Sequence, residues 1–375
     1  MDFSYSEEQL EVRALAQKIL GDQTEPDRLK AIEAQADCLD EKLWSDLAAA
    51  GLLGVAVEEQ YGGMGFGFET LCLLIEEVGQ TVAPVPVIPA LVSAASTLQR
   101  FAPEDLCERY LSQLASGKSL LTAAMVEPAN ESLSNPNTRA QKVDGGWSLS
   151  GVKHCVPFAN RAARVVLTAM SDEGLIALLL DPGADGVTLK RQQVTTTESQ
   201  FEMVMDGAIA TELIADGESA QMLAQWMFEA TAAAYSAMAT GVCEKMMRMT
   251  ASYTSERHQF GVPVATFQAV GHRAADCFID IECLRLTSQQ AISLLDQSRD
   301  ASEAVLIAKI WTGDVTHRVS QASQHMHGGI GVDRDYPLYR YCLWARQIEL
   351  TCGSSAELTD RLGRDIAAEF RQEIA

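Results

Sequence analysis

In the first third of the chain, apolar residues recur at helical spacing. Examples are Leu43-Trp44-Ser45-Asp46-Leu47, running to a stop at Gly51, and the stretch from Leu71 to residue 78. The period then changes. From about Leu120 to Gly217, short apolar runs alternate with turn residues, at 147–151, 163–170 and 175–180, the last followed by Asp181-Pro182-Gly183; this pattern predicts strands. From Ala220 onward, long stretches rich in Ala, Met and Leu return over 229–255, 268–297 and 301–326, which fit antiparallel bundle helices. The hydrophobic pattern therefore predicts an α+β chain of three domains: helical over 1–119, β over 120–219 and helical again over 220–375. Gly62-Gly63-Met64-Gly65-Phe66-Gly67 lacks the strand-to-helix setting of a nucleotide fingerprint and reads as a loop.

At 375 residues and 47% hydrophobic, the chain is long enough for several layers of packed core. Its net charge of −22 argues against nucleic acid and against anionic membranes as partners, both of which call for clustered Lys and Arg. No apolar run approaches the ~18 residues of a membrane span, and acidic residues stand where a signal peptide would be basic, so a cytoplasmic address is expected. The nine cysteines are scattered and contain no CxxC pair, which suggests buried free thiols and no zinc cluster.

Two stretches carry more specific information: Ser255-Glu256-Arg257-His258-Gln259-Phe260-Gly261 and His325-Met326-His327-Gly328-Gly329-Ile330-Gly331. Between them lies Ala265-Thr266-Phe267-Gln268, and after them Asp335-Tyr336-Pro337-Leu338-Tyr339. Earlier markers are Met1-Asp2-Phe3-Ser4-Tyr5-Ser6-Glu7-Glu8-Gln9-Leu10, the run from Gly51 to Gly63, and Glu127-Pro128. In type, order and spacing these resemble the acyl-CoA dehydrogenase family along the whole chain. The resemblance implies an N-terminal helical domain, a middle β-barrel or sandwich and a C-terminal four-helix bundle. It also implies FAD as cofactor, an acyl-CoA thioester as substrate and electron-transfer flavoprotein as electron acceptor.

The family's reaction takes a proton from the carbon next to the thioester, and its members use a glutamate as the base. By that resemblance the usual position, before a Gly-Thr/Ser pair, is Cys352 here, anchored on Gly353-Ser354. The alternative position, on the first long helix of the C-terminal domain and ten residues before the glycine matching Gly241, is Thr231. Glu229 lies two residues away, a rotation of about 200° on a helix, which would turn it to the opposite face. Glu349 and Glu229 remain candidates for a relocated base, against the reading that both are solvated carboxylates on a helix face. A Cys352 thiolate would need a neighbouring cation or helix end, because an unperturbed thiol has a pKa of about 8.5.

The flavin contacts that the family makes within one chain are altered in the same direction. Gly151-Val152-Lys153-His154-Cys155-Val156-Pro157-Phe158 replaces Gly-x-Lys-x-Trp-Ile-Thr/Ser-Asn, losing indole and hydroxyl. Val126 replaces a threonine, Ala232 stands where catalytic members often have arginine, and Ala129-Asn130-Glu131-Ser132-Leu133 has lost its glycines, with only Ser132 keeping its character. The contacts made across the subunit boundary are retained. The resemblance assigns Arg257 to the FAD pyrophosphate, which its planar fork suits. It assigns Phe260 and Gln268 to the same cofactor, and Gly328, Gly329 and Gly331 to close backbone approach at the adenosine end, with His325 at the position of a usual glutamine.

His325 and His327 form an HxH pair, but no third metal ligand is evident. Met246, Met247 and Met249 read as helix packing. Three readings stay open. In the first, the chain is the subunit of a heteromeric acyl-CoA dehydrogenase that lends half a flavin site to a second subunit carrying the catalytic glutamate; Lys153-x-x-Val156-Pro157 and the run from Leu350 to Glu357 resemble such subunits. In the second it is a self-sufficient enzyme with a relocated base, and in the third a non-enzymatic acyl-CoA binder or scaffold.

Overall fold

The computed structural model describes residues 3–130 and 132–374; Met1, Asp2 and Glu131, which belong to the motifs above, lie outside the described residues. The chain forms two compact units, one of residues 7–71 and 84–231, the other of 3–6, 72–83 and 232–374.

Six helices come first: α1 (Glu7–Gln23), α2 (Pro26–Glu33), α3 (Glu41–Ala49), α4 (Gly67–Thr81), α5 (Thr97–Phe101) and α6 (Glu104–Ala115). The Asp40 carboxylate starts α3 by accepting the Leu43 N–H at 2.9 Å, and Arg28 holds the same carboxylate at 2.7 Å. Gly51 ends that helical stretch in the left-handed region (φ 78°), where a side chain would be strained. The glycine-rich stretch 62–67 is a loop. It packs so closely that a Cβ on Gly63 would lie 2.0 Å from the Val57 carbonyl oxygen. Between α4 and α5 the backbone widens into a π-helix over Ile88–Ser96, an uncommon geometry that often marks functional sites.

The middle segment is one eight-stranded mixed sheet: β1 (Leu121–Ala124), β2 (Arg139–Val143), β3 (Gly146–Pro157), β4 (Arg164–Ser171), β5 (Gly174–Leu180), β6 (Val187–Gln192), β7 (Gln200–Ala210) and β8 (Glu212–Asp216). Its strand order is β6-β7-β3-β2-β4-β5-β8, with β1 added in parallel to β4. Leu149, Val165, Leu167, Leu178, Leu180 and Met203 form the centre of its buried core.

Helices α7 (Gly217–Glu256), α8 (Gln268–Asp296), α9 (Ser302–His327), α10 (Leu338–Leu350) and α11 (Ser355–Ile374) complete the chain, with a short hairpin of β9 (His258–Gln259) and β10 (Val262–Pro263) after α7. The first of these helices begins at Gly217, close to Ala220, where the apolar pattern predicts the helical segment to start, and it already buries Ala220, Leu223, Ala224 and Met227 ahead of residue 229. Gly241 and Gly79 explain how α7 and α4 meet in the second unit. A Cβ on Gly241 would lie 2.0 Å from the Glu76 carbonyl oxygen, and one on Gly79 2.2 Å from that of Met238. Arg285 of α8 ties the crossing with ion pairs to Glu76 at 2.6 Å and Glu244 at 3.0 Å. No helix among the described residues is long and apolar enough to cross a membrane. All nine cysteines are free thiols, most of them buried.

Candidate cofactor half-site

The two motifs that stand about 70 residues apart in sequence meet at one end of the C-terminal helices. At the end of α7 the Arg257 N–H donates to the Tyr253 carbonyl at 2.8 Å, and the Val264 N–H donates to the Arg257 carbonyl at 2.8 Å. The β9–β10 hairpin pairs Gln259 with Val262 and His258 with Pro263. Its two turn residues, Phe260 (φ 55°) and Gly261 (φ 83°), are both left-handed, the geometry of the two-residue turns that match strand twist. This turn projects Phe260 outward, 93% exposed and edge-on to Phe267 at 6.2 Å between centroids. The Arg257 side chain is exposed and has no ion-pair partner among the described residues; Gln268, the first residue of α8, is exposed beside them.

The second motif is anchored from within. His327 ends α9 and is buried, its ring stacked on Tyr253 with centroids 4.5 Å apart. Its Nδ1 faces the Ser323 carbonyl at 2.8 Å, and a carbonyl only accepts, so Nδ1 carries the proton and Nε2 accepts from the Tyr336 hydroxyl at 3.1 Å. Burial holds the pKa of this imidazole below the ordinary histidine value, against a smaller upward pull from the Ser323 carbonyl. With both nitrogens engaged, His327 is a packing and hydrogen-bonding residue. No cluster of three metal-ligating side chains occurs among the described residues. The His325 Nδ1 contacts the Arg273 guanidinium of α8. After His327 the chain turns through Gly328 (φ 66°). A Cβ on Gly328 or Gly329 would meet nothing within 4 Å, whereas one on Gly331 would lie 2.9 Å from the Gln324 carbonyl oxygen. Gly328 and Gly329 thus leave open space for a ligand, and Gly331 is required by the packing of the turn on α9.

The candidate base positions lie on α7, on α10 and in the turn that follows α10. Thr231, 3% exposed, shares a 2.9 Å hydrogen bond with the hydroxyl of Ser93 on the π-helix. Glu229 is 7% exposed, which corrects the reading of it as a solvated carboxylate. It accepts from Gln225 at 3.0 Å, and it is buried along with Thr231 because this part of α7 is enclosed on more than one face. Glu349 has a half-buried side chain and pairs with Arg346 and, at 3.4 Å, with His317. Cys352 sits in the left-handed region (φ 60°) in the turn between α10 and α11. The buried Lys309 holds that turn by donating to the carbonyls of Glu349 and Gly353, each at 3.1 Å.

In the sheet, the segments matching the family's own-chain flavin contacts are bonded among themselves. The His154 N–H donates to the Val126 carbonyl at 2.8 Å, and the β3–β7 register shifts between Lys153 and Val156, a bulge that turns Cys155 (φ 51°) outward. Ser132 Oγ accepts the Asn135 N–H at 3.2 Å, while the Asn130 side chain accepts the Ser132 N–H at 3.0 Å. Beneath them the buried Lys153 meets the Glu127 carboxylate at 2.7 Å. Burial lowers the pKa of the ammonium despite this partner. Burial also works against the Glu127 carboxylate, but Lys153, Thr138 and the Asn137 N–H together bring its pKa below the usual range.

Of the residues singled out from sequence, Arg257, Phe260, Gln268, His325, Gly328 and Gly329 are accessible around one end of α7, α8 and α9. Tyr253 and Arg273, which help hold them there, were not singled out, although Tyr253 lies one helical turn before Arg257; Tyr336 stands in the Asp335–Tyr339 motif, but no role was read for it. The exposed Arg257 guanidinium, with no ion-pair partner among the described residues, shares this end of the helices with the exposed Phe260 ring and the open Gly328–Gly329 backbone, a donor set suited to a phosphate-linked aromatic cofactor.

Known proteins share this architecture. The acyl-CoA dehydrogenase N-terminal domain is matched over residues 6–118 and the C-terminal domain over residues 222–367. Acyl-CoA dehydrogenase FadE27 of Mycobacterium tuberculosis is 30% identical, over 98% of this chain and 99% of that protein. A variant of the Tcur3481–Tcur3483 steroid ACAD superposes with a TM-score of 0.92 at 37% identity, over 97% of this chain and 99% of that one. The ChsE4–ChsE5 complex from Mycobacterium tuberculosis gives a TM-score of 0.92 at 30% identity, over 98% of this chain and 99% of that one.

Proposed function

The chain belongs to the acyl-CoA dehydrogenase family, and from that premise we propose that it is the flavin-lending subunit of a heteromeric, FAD-dependent acyl-CoA dehydrogenase. FAD, when bound, supplies the acceptor for the hydride that leaves the acyl chain. This chain's Arg257, Phe260, Gln268 and the Gly328–Gly329 backbone would hold the pyrophosphate and adenosine of a cofactor seated mainly on a second subunit, which carries the catalytic glutamate. One observation supports this reading above the others. The residues of the lent half-site are exposed and the Arg257 guanidinium has no ion-pair partner among the described residues, while Thr231 at one base position is closed off against Ser93 and Cys352 at the other carries no carboxylate. Both structural relatives above that pair two named components agree with a division of labour, and the steroid ACAD among them favours a steroid side-chain thioester as the acyl group. Electron-transfer flavoprotein is the expected acceptor, and a cytoplasmic address accords with the reading.

The test is cofactor stoichiometry in the complex purified with its partner. One FAD per pair of chains is expected, read as released flavin against protein. Two FAD per pair would replace this proposal with a self-sufficient enzyme, and no flavin in any preparation would leave an acyl-CoA binder or scaffold.

A further inference from the structure

Arg273 stands on α8 five residues after Gln268, and His325 stands on α9 three residues before Gly328. The two side chains meet, a guanidinium nitrogen of Arg273 against Nδ1 of the His325 imidazole. A guanidinium donates and has no acceptor, so Nδ1 accepts and the imidazole is neutral, with its proton on Nε2. Both residues are exposed. Arg273 has no carboxylate partner among the described residues, and His325 Nε2 has no protein partner among them either. The main chain is fixed at the same point, because the carbonyls of Gln324 and His325 accept the Gly328 N–H that opens the glycine turn. An N–H donor is thereby left without a protein acceptor, close in the chain to a backbone on which Gly328 and Gly329 leave open space.

On the reading of this end as a lent half-site, we propose that Arg273 is a positioning residue for the cofactor and acts through His325. An exposed histidine samples several rotamers and both neutral tautomers. The Arg273 contact selects the tautomer protonated on Nε2 and holds the ring in one direction, which lowers the ordering cost of binding. The family resemblance puts a glutamine at this position, whose amide offers a donor and an acceptor together. The Arg273–His325 pair offers one donor and no acceptor, so it fits an acceptor oxygen or ring nitrogen of FAD. Arg273 is also the polar counterpart of Tyr253. The Tyr253–His327 stack joins the end of α7 to the end of α9, and the Arg273–His325 contact joins the start of α8 to that same end.

A double-mutant cycle on FAD affinity tests this role, with Kd read by titrating flavin into the flavin-depleted complex assembled with the second subunit. Arg273→Ala is expected to raise Kd about three- to tenfold, the net worth of one neutral hydrogen bond. Arg273→Lys keeps a donor for Nδ1 and should recover much of the loss. In the His325→Gln background the glutamine supplies its own amide donor, so Arg273→Ala should add nothing further. Equal losses in the two backgrounds would make Arg273 an independent charge contact and overturn the proposal, as would an unchanged Kd in Arg273→Ala. Both side chains are exposed, so every variant is expected to keep the parent Tm; a fall in Tm that tracks the rise in Kd would make the contact a structural tie and also overturn it. One FAD per pair of chains without coupling between the two positions would keep the subunit role and remove Arg273 from the site. Two FAD per pair would overturn the subunit role, while coupling measured in that complex would still give Arg273 its positioning role.

Discussion

The His327 imidazole lies 4.5 Å from the Tyr253 ring, centroid to centroid, with the two planes 18° from parallel. Tyr253 is one helical turn before Arg257, and His327 immediately precedes Gly328. The stack therefore joins the two halves of the cofactor-binding end, and its loss should be felt at both. Aromatic pairs of this kind contribute about 0.5–1.5 kcal/mol beyond area burial. Tyr253→Ala is expected to lower both Tm and flavin retention in the assembled complex, while Tyr253→Phe, which keeps the ring, stays close to the parent. Equal flavin retention in Tyr253→Ala would mean that the two motifs act independently.

Arg257 is the most direct test of the half-site. Replacing it by Ala removes charge-assisted hydrogen bonds worth about 1.5–3 kcal/mol each, so roughly 10- to 100-fold weaker FAD retention is expected, with assembly intact by sizing. Arg257→Lys should recover only part of the loss, because an ammonium keeps the charge without the planar fork. An Ala variant that assembles and holds FAD as tightly as the parent would reduce Arg257 to an ordinary surface residue.

His327 should make stability depend on pH. Its folded pKa lies below the ordinary value of 6.5, so the neutral form is favoured in the folded chain and the unfolded chain takes up the proton first as pH falls. This contribution is fully present above pH ~6.5 and is lost as pH drops through the folded pKa. Tm should therefore fall from pH 7.5 to pH 5.5, and His327→Phe, which keeps a ring against Tyr253 but cannot titrate, should show a shallower slope. Parallel Tm–pH curves for the two proteins would remove the histidine as the cause.

The base can be assigned by substitution in the assembled enzyme. Glu229→Gln, Glu349→Gln and Cys352→Ala are each expected to leave turnover within a few fold, since loss of a true general base typically costs 10²-fold or more. A loss of that size with FAD still bound would place the base on this chain. Glu229 is the more searching of the three, because it is buried and its replacement also tests the packing of α7.

The sequence by itself determined the order of helical, β and helical segments. The change of hydrophobic period at about residue 120, and again near 217, reports a switch from burial along one helix face to burial across a sheet. It also located Arg257, Phe260 and the glycine turn, through motifs whose residue types, order and spacing resemble those of the family. What it left undecided depended on contacts between residues far apart in the chain. Glu229 looked solvated from its helical angle alone, and only the enclosure of α7 on more than one face shows it buried. Gly331 looked like its two neighbours, but the Gln324 carbonyl beneath it gives it a packing role that they do not share. The stack of Tyr253 on His327 and the clamp of Lys309 on the Cys352 turn have no local signature. Each exists because separate helices bring groups within a few ångströms, a distance that periodicity along one segment does not encode.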